Sequence, residues 1–138
     1  MRALRHAHRY TARAEYVLPQ ASASAGRARK LATAFLARPH RRVAAVHTEG
    51  VNDATLVVSE LVANATRHGH SDCRLRLAVY DHRVIVEVHD DNPTQPQVRP
   101  KSDVAEGGRG LAIVQDIAES LEVIGAPDGK TVRAVLAF

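Results

Sequence analysis

The chain has no tryptophan, two phenylalanines and three tyrosines among its 138 residues, so its core has to be aliphatic. A surface that binds nucleic acid by stacking bases on aromatic rings has almost no rings to use. The single cysteine, Cys73, excludes an internal disulfide and a thiolate metal cluster, and fits a reducing cytoplasm. No apolar stretch reaches the ~18 residues of a membrane-spanning helix. The basic start is not followed by an apolar signal segment, so neither span nor signal peptide is expected. The eight histidines are scattered over different predicted elements without a His-Glu-x-x-His pattern, and a zinc site is not expected. Gly-x-x-x-x-Gly-Lys-Ser/Thr is missing, as is Gly-x-Gly-x-x-Gly after the first strand, which excludes a P-loop and a dinucleotide-binding βαβ unit.

What remains is one domain with one core, 45% apolar and formally +4 in charge. The charge is unevenly spread. Arg2, Arg5, Arg9, Arg13, Arg27, Arg29, Lys30, Arg38, Arg41 and Arg42 fill the first third, while the later part is more acidic. Such a distribution suits either an acidic partner or a solvated face. No nucleic-acid reader motif accompanies it, so direct nucleic-acid binding is not expected.

Hydrophobic periodicity divides the chain into a basic, frayed segment 1–12 and a folded domain 13–138. Residues 13–18 read as a short edge strand. A first helix, capped by Ser22 or Ser24, runs to about Ala37, before Pro39. A second starts near Asn52 or Asp53 and ends at His68-Gly69, with Gly69 in a left-handed C-terminal position. Residues 73–80 and 84–88 alternate with period two around a turn at Asp81-His82, which predicts a hairpin with one apolar face. Segment 91–107, with Pro93, Pro96 and Pro100, predicts a long binding loop. Beyond Gly110, Leu111, Ile113, Val114, Ile117 and Ala118 signal a third helix. Two strands follow, 121–124 and 131–137, joined by a turn at 125–129. The expected fold is an α/β two-layer sandwich: a mixed, mainly antiparallel sheet of about five strands covered on one face by three helices.

Three pieces of the sequence carry chemistry. In the second helix Glu60, Asn64 and His68 recur every four residues; at about 100° per residue they drift only about 40° per step and share one side. These are either solvent-facing positions of an amphipathic helix or a stripe whose carboxylate and carboxamide hold a hydrated Mg²⁺ and, through it, phosphates. Asp90 stands where a central strand runs out, a fixed mount for an acceptor facing an exocyclic amine such as adenine N6. Gly107-Gly108-Arg109-Gly110 leads into a helix whose first-turn N–H groups point at anions, with Arg109 adding a charged donor.

Taken together, Glu60-Leu61-Val62-x-Asn64-Ala65-x-x-His68-Gly69, then Asp90, then Gly107-x-Arg109-Gly110-Leu111 resembles the Bergerat-fold, histidine-kinase-like ATPases. The likeness is nearest to the small stand-alone branch that includes the anti-sigma-factor serine/threonine kinases. It covers about residues 13–138, and Gly129-Lys130-Thr131-Val132 entering the last strand fits it. The resemblance implies ATP and Mg²⁺ as cofactors, with Asn64 as metal ligand and Glu60 orienting or deprotonating the attacking group. It implies Asp90 at the adenine, Gly108 to Leu111 beside the phosphates, and an ATP lid at about 93–107. Arg67, His68, Asn92 and Thr131 would complete the binding site. One departure is plain: the first glycine box, Asp-x-Gly-x-Gly in fuller members, reads Asp90-Asp91-Asn92-Pro93-Thr94. Asn92 is able to adopt positive φ, but Pro93 stiffens the turn and Thr94 adds bulk.

The activity so implied is transfer of the ATP γ-phosphoryl group to a serine or threonine of a protein partner, by a cytoplasmic regulator that binds a sigma factor or an anti-sigma antagonist and is a possible homodimer. The rival is a binding-only module that switches a protein interface with nucleotide occupancy, or with none.

Overall fold

The computed structural model describes residues 12–38, 45–94 and 106–138, with residues 106–109 described by their backbone alone. The expected segment 1–12, apart from Ala12, and most of the expected lid lie outside the described residues. The elements are β1 (Ala12–Leu18), α1 (Ser24–Ala37), α2 (Thr48–His68), β2 (Cys73–Tyr80), β3 (Arg83–Asp90), α3 (Glu106–Ile117), β4 (Ser120–Ala126) and β5 (Gly129–Ala137). The strands form one sheet in the order β1-β2-β3-β5-β4, and each of the four pairings is antiparallel. Three helices on one face complete the two-layer sandwich of a Bergerat fold. No helix among the described residues is long and apolar enough to cross a membrane.

Period-two alternation decides which side chains meet the helices. Leu75, Leu77, Val79, Val84, Val86, Val88, Val132, Ala134 and Leu136 point inward and are buried. Against them lies α2, which contributes Ala54, Val57, Val58, Leu61, Val62 and Ala65 and also packs on α1 and α3. The core is aliphatic except for Phe35 and Cys73.

On the open face, Glu15, Arg76, Glu87, Arg133 and Glu122 stand side by side across all five strands. Their signs alternate, with N···O separations of 3.2 Å for Glu15–Arg76, 4.0 Å for Arg76–Glu87 and 3.6 Å for Glu87–Arg133. Exposed pairs of this kind contribute about 0–1 kcal/mol each. A hollow of about 480 Å³ on this face has Glu15, Arg76 and Glu87 in its wall and no residue of α2.

Several element ends differ from expectation for identifiable reasons. Helix α2 begins at Thr48, one turn before Asn52, because His47 caps it: Nδ1 accepts from the Gly50 amide at 3.1 Å. Helix α1 has no side-chain cap, and the Ser24 hydroxyl instead donates to Pro19 O at 2.5 Å. Gly69 is extended (φ −77°, ψ 166°), not left-handed. It is needed for space, since a Cβ there would lie 2.7 Å from Ala65 O and 3.3 Å from Asp91 Oδ1. Helix α3 starts at Glu106, so Gly107 to Gly110 lie inside it and do not precede it. The hairpin turn is as expected, with Asp81 and His82 at φ 45° and 60°, the left-handed pair that a tight two-residue turn requires.

Cys73 opens β2 from within the core, and its thiol is pushed up to about 11 by burial, with the Asp90 charge adding to the effect. Since the thiolate is the reactive form, the native protein at pH 8 is expected to resist iodoacetamide, and the urea-unfolded chain to react fully. Mass spectrometry of the two samples checks this; rapid native alkylation would show that the start of β2 opens.

Candidate functional site

The α2 stripe does not face solvent at its centre. Asn64 is 4% exposed, and its Oδ1 is buried without a hydrogen-bond partner among the described residues. A buried acceptor left unpaired costs about 1–3 kcal/mol, so Asn64 Oδ1 is a local cost to stability that packing does not offset. One turn earlier, Glu60 is half-buried and directs its carboxylate at Gly110 of α3. A Cβ on Gly110 would stand 2.5 Å from Glu60 Oε2. The second glycine segment therefore admits the Glu60 carboxylate against the helix. Toward the end of α2 the stripe emerges, and both Arg67 and His68 are exposed.

Asp90 ends β3 opposite Lys130 of β5. Both are buried, and Lys130 Nζ donates to Asp90 Oδ1 at 3.0 Å and to Asn92 O at 3.0 Å. The same Oδ1 accepts from the Asn92 amide at 2.8 Å. Beginning β5 at Gly129 allows this approach, because a Cβ there would collide with Asp90 O. Sequence reasoning missed the part Lys130 plays. The available signal was its parity: Val132, Ala134 and Leu136 face inward, so Lys130 must as well.

By the same alternation Thr131 faces the open side, where its Oγ1 lies 3.0 Å from His89 Nδ1. The structure thus places Thr131 on the opposite face of the sheet from Asn64, Glu60 and Asp90. Leu111 is buried in the core. Gly107, Gly108 and Arg109 fall in the first turn of α3, where unpaired amides are available, and the Arg109 side chain is outside the described atoms.

The replaced glycine box is held by side chains. Asn92 does not take positive φ, which among described non-glycine residues occurs only at Asp81 and His82. Its Nδ2 donates to His68 O at 2.9 Å, and its Oδ1 accepts from the Thr94 amide at 2.9 Å. Asp91 accepts from the His70 amide at 2.6 Å and from Ser71 Oγ at 2.9 Å, which holds its carboxyl below the usual range. The segment after β3 is therefore tied to the end of α2 at two successive residues. Among the described residues no cluster of three or more His, Cys, Asp or Glu could enclose a metal. An ion held here would take few protein ligands and rely on water and phosphate oxygens, as Mg²⁺ does.

The family profile described as "Histidine kinase-like ATPase domain" matches residues 18–136. No curated protein sequence matches the chain. Among solved structures, the RsbU and RsbW domains of Rv1364c from Mycobacterium tuberculosis superpose with a TM-score of 0.69 at 19% identity. That match covers 92% of this chain and 32% of the other, so the present chain spans about a third of its length. The histidine kinase domain of the blue-light activated histidine kinase EL346 from Erythrobacter litoralis gives 0.53 at 24% identity, covering 86% of this chain and 64% of that one.

His68, though exposed, is lowered from its ordinary 6.5, first by partial desolvation, then by the charges of Arg67 and Lys130, with Asp90 partly offsetting them. A histidine depressed in the native state leaves the unfolded chain binding more protons. Its contribution is thus neutral above about pH 6.5 and increasingly unfavourable as pH falls below it. An NMR titration is expected to place the His68 midpoint below 6.5. Thermal melts at pH 5.5 and 7.5 should differ less in His68→Gln than in the parent; an equal difference would remove His68 as a contributor.

Proposed function

Because the chain belongs to the histidine kinase-like ATPase domain family, we propose that it binds ATP with Mg²⁺ between α2, the segment after β3 and the start of α3, and transfers the γ-phosphoryl group to a serine or threonine of a protein partner. The partner class is a sigma factor or an anti-sigma antagonist. The observation that carries the reading is the buried, unpartnered Oδ1 of Asn64. A buried hard oxygen, with no cluster of three or more His, Cys, Asp or Glu among the described residues, fits Mg²⁺ better than a softer metal.

In this reading Asn64 Oδ1 holds the ion, which when bound offsets charge on the phosphates. The first-turn amides of α3 meet phosphate oxygens, with Arg109 supplying a further positive charge. Asp90 accepts from the exocyclic amine of adenine. Glu60 lies one turn from Asn64 and receives the proton of the incoming hydroxyl as its oxygen bonds to the γ-phosphorus. The bond from that phosphorus to the bridging oxygen breaks, and ADP departs with the electron pair. A second reading, a nucleotide-dependent binding module with weak or no transfer, is favoured by the Asn92-Pro93-Thr94 segment, whose side-chain ties leave less backbone open to phosphate than glycines would.

Calorimetry with ATP and ADP, with and without Mg²⁺, tests the binding reading, and phosphate transfer to a small antagonist-like protein separates the two functions. Asn64→Leu removes an unsatisfied buried acceptor, so its ligand-free melting temperature is expected to be unchanged or higher while Mg²⁺-dependent ATP binding is lost. Asp90→Ala should weaken ATP about tenfold to hundredfold.

Glu60→Gln is expected to keep ATP affinity and to slow transfer. Gly110→Ala should melt no lower, since alanine favours a helix by about 0.5–1 kcal/mol. It should nonetheless slow transfer by displacing the Glu60 carboxylate. Wild-type transfer rates in E60Q at demonstrated nucleotide occupancy would remove Glu60 from the chemistry.

A further inference from the structure

Lys130 is the inward residue of β5 that breaks an otherwise apolar series, Val132, Ala134 and Leu136. Its ion pair with Asp90 has side chains 1% and 2% exposed. Buried ion pairs are weak stabilisers, and apolar residues of similar volume commonly serve stability as well or better. Packing alone therefore does not explain a lysine here, whereas its position on the base-reading carboxylate does.

The bonds formed by Lys130 Nζ and the Asn92 amide both fall on Oδ1 of Asp90. Oδ2 takes neither of them. A carboxylate paired this way is an acceptor at every lone pair, whereas a protonated carboxyl in the same place would present an O–H donor. The two states read opposite chemistry at position 6 of a purine: a carboxylate matches an amino group, and a carboxylic acid matches an oxo group.

We propose that Lys130 is a positioning residue for base recognition, which holds Asp90 in its acceptor-only form and so makes the site select 6-amino over 6-oxo purine nucleotides. This rests on the reading that Asp90 meets the base. Without the ammonium, Asp90 would be a buried carboxyl with an amide N–H as its only described partner, and the acceptor-only form would lose the cation that favours it. The other groups near it do not replace Lys130. His68 and Arg67 at the end of α2 are exposed, Asp91 is turned to His70 and Ser71, and Cys73 is a thiol at neutral pH.

The test compares the affinities of the full chain for ATP and for inosine triphosphate, its 6-oxo counterpart, by calorimetry. The wild type is expected to prefer ATP by about tenfold or more, because a buried acceptor facing an oxo group is left unpaired. Lys130→Met should bring the ratio close to one or invert it, while Lys130→Arg, which keeps the cation, should hold the wild-type preference. A loss of fold alone would weaken both nucleotides together and leave the ratio unchanged. K130M that binds ATP with the wild-type ratio overturns the proposal and leaves the ATP reading standing. A wild type that binds neither nucleotide overturns the ATP reading and this one with it. If K130M does not fold, the wild type decides by NMR of the Lys130 ammonium. A signal that moves with ATP and not with inosine triphosphate supports the proposal, and one unmoved by saturating ATP overturns it.

Discussion

Two opposite charges are sealed where β3 ends and β5 begins, and the segment after β3 is built around them. Taking a carboxylate and an ammonium out of water costs several kcal/mol for each ion, which their attraction offsets only with good geometry and further hydrogen bonds. Asp90 and Lys130 meet that condition because Asn92 supplies both an amide to the carboxylate and a carbonyl to the ammonium. The turn after β3 is therefore a required part of the pair. It is held again by the Asn92 bond to His68 O and the Asp91 bond to the His70 amide, so the end of α2 and the end of β3 are tied together. Gly69 and Gly129 allow the backbones to come this close.

The same neighbourhood carries two local costs to stability. Asn64 keeps an unpaired oxygen inside the layer between helices, where an aliphatic side chain would pack without penalty. Gly110 gives up helix propensity inside α3 and thereby makes room for the Glu60 carboxylate. Conflicts of this kind between local preference and global fold are expected at working sites and uncommon elsewhere. In this chain they fall on α2 and the helix facing it.

The architecture was legible in the sequence wherever one periodicity dominated. The 73–90 hairpin follows from its alternation and from a two-residue turn, and α2 from a long apolar stripe. Errors arose where a local signal was ambiguous. Histidine is an uncommon cap, so in the sequence the first turn of α2 reads as part of the preceding loop. Four residues rich in glycine read as a loop, although they form the opening turns of α3. At the start of β5 the family pattern pointed to Thr131, while strand parity pointed to Lys130; parity is the physical constraint, and it decides which side chain reaches Asp90. The orphaned oxygen of Asn64 is not readable in the sequence, since its burial depends on tertiary packing.

The row Glu15, Arg76, Glu87, Arg133, Glu122 on the open face reads the same from either edge of the sheet. If two copies were laid face to face about a two-fold axis running along the row, each side chain would confront its own copy. An axis along the strands through Glu87 would set glutamate on glutamate and arginine on arginine. Both aligned arrangements bring like charges together, and only a copy displaced by one strand escapes the repulsion. A palindrome of charge thus disfavours those two aligned registers, whereas an axis midway between two strands would set each glutamate against an arginine.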